Sequence, residues 1–76
     1  MSGWVKTFEV AVYNKDVRDL VKKGEKHQFY EDKWGDIHFI EIKAMDKDEA
    51  RVKAQRKHPP EKGFVIGNIV QTSVDP

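Results

Sequence analysis

The sequence predicts one small α+β domain with the ferredoxin-like β-α-β-β-α-β plan, an antiparallel sheet with two helices on one face. Three observations carry that prediction. Apolar residues alternate along 4–13 and again along 36–45, the period of a strand. Capping and terminating residues bracket two helical segments, Asn14 to Gly24 and Asp46 to Pro59. The 76 residues leave room for one domain, residues 1–76.

The first strand is WVKTFEVAVY (4–13), where Phe8, Val10 and Val12 point one way and Thr7, Glu9, Ala11 and Tyr13 the other. Asn14 suits an N-cap and Gly24 the position just past a helix, so a short helix spans roughly 15–23. Its apolar stripe is Val17, Leu20 and Val21, at i, i+3, i+4. HQFYE (27–31) and DIHFIEIKAM (36–45) are two strand-like runs joined by Asp32, Lys33, Trp34 and Gly35. A short loop closing on a left-handed glycine is a common way to make such a hairpin. If 27–31 is loop instead, the fold becomes a three-stranded α+β variant.

Asp46 followed by Glu49 forms an acidic capping box that opens the second helix. Pro59 and Pro60 end it, and His58, preceding a proline, is pushed out of helical geometry. Ala50 and Ala54 share the buried side of this helix while Val52 lies nearly opposite. GFVIGNIVQTSV (63–74) is the last strand.

Composition narrows the function. Charged residues make up 36% and hydrophobic ones 38% of the chain, against roughly 25% charged in an ordinary domain. The core is therefore thin, and small domains usually add a disulfide, a metal or a second subunit. The chain has no cysteine, which excludes disulfides, thiol chemistry and cysteine-based zinc sites and fits a reducing, cytoplasmic setting. The first residues lack a signal-peptide pattern, and no apolar run approaches the ~18 residues of a membrane span.

Both helices are expected to cover one sheet face and leave the other open. That open face carries Glu9, Ala11, Tyr13, Ile37, Phe39, Glu41 and Lys43, a mixed but apolar-rich surface that calls for a partner. A second copy is the expected partner, because two-fold homodimers are the commonest closed assembly; a larger protein is the other. The expected contact residues are Tyr13, Ile37 and Phe39, with Val52 as an outlying apolar contact.

The histidines and acids of 26–39 invite a metal reading through His27, Asp36 and His38, but spacing places no fourth ligand. Turn closure by Asp36 and hairpin pairing among Phe29, Tyr30, Trp34 and Phe39 explain the stretch more simply. Arg51, Lys53, Arg56, Lys57 and Lys62 offer an alternative function, a nucleic-acid-binding module. Acids at the start of that helix and bases at its end are equally the arrangement its macrodipole favours. RNA-recognition domains share the β-α-β-β-α-β plan, and VAVYN (10–14) resembles their first-strand pattern. Ala11, however, stands where those domains carry an aromatic, and GDIHFIEI lacks their basic, glycine-containing start. With a net charge of +1 and no nucleophile placed beside a histidine, the expectation is a non-catalytic, cofactor-free interaction or regulatory domain.

Overall fold

The computed structural model describes residues 5–74. It is an α+β domain built on a three-stranded antiparallel sheet. β1 (Lys6–Asn14) runs through the middle, β2 (His38–Ala44) lies on one side of it and β3 (Phe64–Val74) on the other. The helices are α1 (Lys15–Lys22) and α2 (Lys47–Lys57), with 3₁₀ turns at Asp32–Gly35 and Pro60–Lys62. Because β2 and β3 are each antiparallel to β1, α2 is the crossover that carries the chain from one edge to the other.

The alternation in β1 sorts the two faces as expected from Phe8 onward, whereas Thr7, on the opposite face, is buried as well. Phe8, Val10 and Val12 are buried, together with Ile42, Ala44, Phe64 and Ile69 from the flanking strands. Ala50 and Ala54 close the other side of this core. Both alanines are fully buried, so α2 lies close on the sheet and contributes little apolar area of its own. The Asp46 side chain accepts from the Glu49 amide at 2.8 Å, and Glu49 Oε1 accepts from the Met45 amide at 3.0 Å. That is a capping box shifted by one residue, and α2 ends before the two prolines as expected.

α1 is bounded as its caps dictate. Asn14 accepts from the Asp16 and Val17 amides, both at 3.0 Å. At the other end Gly24, φ +75°, donates to the Val21 carbonyl while Glu25 donates to that of Leu20. This is a Schellman motif. Of the apolar stripe only Val17 is buried; Val21 is 45% exposed.

The four-stranded plan is not what forms. Residues 27–31 make no strand, and the stretch 26–39 is not a hairpin. β1 takes the inner edge of β2, and the loop satisfies its own amides: His27 Nδ1 accepts from the amides of Phe29 and Tyr30 at 3.0 and 3.2 Å. The Trp34 amide donates to the Glu31 carbonyl and that of Asp36 to Lys33. The helix layer differs too. α2 packs on all three strands, whereas α1 packs chiefly on the Asp32–Gly35 turn.

Gly35 is a glycine for a different reason from the expected one. Its φ is not positive, but a Cβ there would lie 3.1 Å from both the backbone N and Cα of Arg18. The turn carries α1 at that distance, and Arg18 Nε donates to the Gly35 carbonyl at 2.8 Å. Gly35→Ala is therefore expected to cost about 1–3 kcal/mol through overpacking. The check is a lower urea midpoint with an unchanged m-value.

Candidate protein-interaction surface

The face of the sheet turned away from α2 is ordered in levels by the strand register. Tyr13 of β1 lies opposite Val65 of β3. Two residues further along, Ala11 lies opposite Phe39 of β2, with Gly67 on its other side, where a Cβ would sit 3.4 Å from that of Ala11. At the next level Glu9 is flanked by Glu41 and Val70, and beyond it Thr7 lies opposite Lys43. Ile37, one residue before β2, extends the apolar end by alternation.

Loss of the expected hairpin exposes this face. Tyr30 and Trp34 turn to the helix side, where they stack edge-on against Phe64 at 5.1 and 5.7 Å between centroids. Phe39 is left 66% exposed, Ile37 53% and Val70 55%. Arg18 enters from α1, its guanidinium 3.8 Å from the centre of the Tyr13 ring. Such contacts hold a cation over an aromatic face with about 0.5–2 kcal/mol. The face thus has an apolar end bearing a fixed positive charge and a middle bearing two carboxylates. Like charges directly opposite on neighbouring strands destabilise a sheet, so the opposed pair Glu9 and Glu41 adds nothing to the domain's own stability.

Tyr13, Ile37 and Phe39 come together on this face. Val52 does not join them. It is 45% exposed on α2, nearly opposite Ala50 and Ala54, so it faces away from the sheet on the other side of the molecule. Val70 and Arg18 were not singled out by sequence reasoning. Alternation in the last strand marks Val70 as soon as its register is known, whereas nothing local marks Arg18.

The five bases of the second-helix region are dispersed. Lys53, Arg56 and Lys57 line a groove of about 480 Å³ with Glu41, Ile42 and Lys43. Lys53 is engaged there already, donating to the Lys43 carbonyl at 2.7 Å and lying 3.6 Å from Glu49. Arg51 lies beside Lys47, Asp48 and the start of the outer half of β3. Lys62 borders a cleft with Asp16, His27, Phe29 and Tyr30.

The histidines of 26–39 also separate. His27 caps its own loop, while His38 Nε2 donates to the Lys33 carbonyl at 2.7 Å. His38 stacks on Trp34 at 4.8 Å, and the sequence-distant His58 packs between Trp34 at 5.4 Å and Phe64 at 5.0 Å. Among the described residues no group of three or more His, Cys, Asp or Glu is arranged to hold a metal ion. In the sequence His58 is marked only by the proline that follows it.

Burial, then the charges of Lys57 and His38, hold the His58 pKa below its ordinary value of 6.5. Protonation is thus harder in the folded than in the unfolded chain. The stabilisation is complete above about pH 6.5 and is lost as pH falls through the lower folded value. Melting temperature is expected to decline from pH 7 toward pH 5, with a shallower decline in His58→Gln.

Comparisons of the chain with protein-family models, with curated proteins and with solved structures return no match. No described helix is long and apolar enough to cross a membrane. The functional reading therefore rests on the surface itself.

Proposed function

We propose that this domain is a non-catalytic protein-contact module that self-associates through the open face of its sheet. The observation that carries the reading is the apolar group Phe39, Ile37 and Val70, left exposed on one face of the sheet. A thin core built on two alanines gives the domain reason to gain from covering it.

Size decides the strength of the association. Three strands about 4.8 Å apart make the face about 14 Å wide, and the nine residues of β1 make it about 30 Å long. That is roughly 400 Å² per copy in projection, or about 800 Å² for the pair, below the ~1,200 Å² at which stable specific interfaces begin and in the range of weak encounters. The reading is therefore a reversible dimer, not an obligate one.

A native dimer makes thermal stability depend on concentration, because association draws on the folded state alone. The melting temperature of the wild type is expected to rise between about 5 and about 500 µM protein. Phe39→Glu, which adds a carboxylate beside the Glu9 and Glu41 level, is expected to remove that dependence while still folding. A wild-type melting temperature that stays constant across the range contradicts the reading.

A further inference from the structure

We infer that the occupant of the open face is a second copy of this chain, related by a two-fold axis that runs across the strands at the level of Ala11. The inference rests on the self-association proposed above and goes beyond it by fixing the symmetry and the contacts.

Charge complementarity carries it. Stacked sheets meet face to face about 10 Å apart, so a two-fold axis relating them lies in the plane between the sheets, with its limiting directions along the strands and across them. An axis along β1 keeps each level over itself and sets Glu9 of one copy on Glu9 of the other, with like charges brought together as water leaves. An axis across the strands at Ala11 exchanges the levels on either side of it. Tyr13 and Glu9 are each two residues from Ala11 and so lie at equal distances from that axis. Arg18, held over Tyr13 by its 3.8 Å ring contact and its 2.8 Å bond to Gly35, then meets the Glu9–Glu41 level of the partner copy, twice by symmetry.

The valines and Phe39 agree with the same axis, whereas Ile37, at the Tyr13 level of β2, falls beside Glu41 of the partner copy. Val65 shares the level of Tyr13 and Val70 that of Glu9, so each valine falls over the other in the partner copy. Phe39 and Ala11 lie on the axis and meet their own counterparts. Gly67 beside Ala11 keeps that level low enough for the two Phe39 rings to approach. The arrangement also gives the Glu9–Glu41 juxtaposition a role, since two opposed carboxylates make a stronger site for a guanidinium than one.

Charge reversal tests the contact. Arg18→Glu and the double variant Glu9→Lys/Glu41→Lys should each dimerise at least tenfold more weakly than the wild type, and their equimolar mixture should associate again. Should Arg18→Glu fail to fold, the double variant still decides. It replaces one pair of opposed like charges by another at the same positions, so it should melt close to the wild-type monomer and yet dimerise at least tenfold more weakly.

Position is tested independently, because the chain has no cysteine of its own. Ala11→Cys should be joined into a covalent dimer by a bis-maleimide with a reach of about 10 Å, whereas Val52→Cys on the opposite side should not. A protein that sediments as a dimer but leaves Ala11→Cys unlinked, or whose double variant dimerises normally, overturns this symmetry and leaves the self-association reading standing. A protein that is monomeric at every concentration overturns both.

Discussion

Gly63→Ala is expected to destabilise the domain by about 2–5 kcal/mol, much of the stability a chain of this size holds. Two costs combine. Gly63 has φ +95°, a left-handed conformation that costs an alanine about 1–2 kcal/mol. In addition, a Cβ there would collide with Asp16 Oδ2 and lie 2.8 Å from Asp16 Cγ and 2.9 Å from Asn14 Oδ1. Overpacking of that kind costs about 1–3 kcal/mol. Gly24 provides the control. It shares the positive φ, at +75°, but a Cβ would meet nothing within 4 Å, so Gly24→Ala is expected to show only the conformational cost. At roughly 4–8 °C per kcal/mol for a domain this small, Gly63→Ala should lower the melting temperature by about 10 °C or more. Equal losses in the two variants would show that Asp16 moves aside without penalty.

Asn14→Ala carries the second large effect, for a related reason. Asn14 is fully buried and uses its whole side chain: Oδ1 accepts from the Asp16 and Val17 amides, and Nδ2 donates to the Lys62 carbonyl at 3.0 Å. Beside it the Lys15 amide donates to the Gly63 carbonyl at 2.8 Å. One residue thus caps α1 and ties it to the chain entering β3, 48 residues away. Losing a cap costs about 0.5–2 kcal/mol, and each buried polar group left unpaired costs about 1–3 more. Asn14→Ala is expected to lose about 2–4 kcal/mol. Asn14→Ser retains a hydroxyl acceptor for the cap and loses the bond to Lys62, so it should fall between the alanine variant and the wild type in urea unfolding. An Asn14→Ser protein as unstable as Asn14→Ala would show that the tie to Lys62 matters more than the cap.

These two residues show what was legible in the sequence. Asn14 is recognisable as an N-cap because capping is a contact over two or three residues, and the same holds for Asp46, Gly24 and the double proline. The alternation in β1 and the alanine spacing in α2 reveal their buried faces because period and burial are linked within one element. What the sequence conceals is long-range. The Asn14–Lys62 tie and the approach of α1 to Gly35 join segments that no local pattern connects. Residues 27–31 mislead for the opposite reason. The aromatic-rich run HQFYE is strand-like in composition, but the partner edge is occupied by β1, and a histidine ring takes up two of the loop's amides.

The candidate surface was partly legible on the same grounds. Alternation alone puts Tyr13, Ile37 and Phe39 on one face, because each strand fixes its own two sides. The helical period already turns Val52 away from the buried alanines, but neither period can show that Val70 joins the group or that Arg18 reaches over Tyr13. Those placements depend on strand order and on where α1 turns. The same dependence disperses Arg51, Lys53, Arg56, Lys57 and Lys62 into three regions, although they are close together in sequence.

The pH dependence expected from His58 concerns the end of the sheet where Trp34 and Phe64 pack. It is independent of the open face, so His58→Gln should alter stability without altering association. Gly35→Ala, by contrast, displaces the backbone that carries Arg18 and should alter both. Association itself is the central claim. The most direct test is sedimentation equilibrium of the wild type and Phe39→Glu from about 5 to about 500 µM, spanning the weak affinities of small interfaces. A wild-type mass that climbs from monomer toward dimer, beside a Phe39→Glu mass that stays at the monomer, is the predicted result. A wild-type mass fixed at the monomer throughout, or a dimer that Phe39→Glu leaves intact, would contradict it.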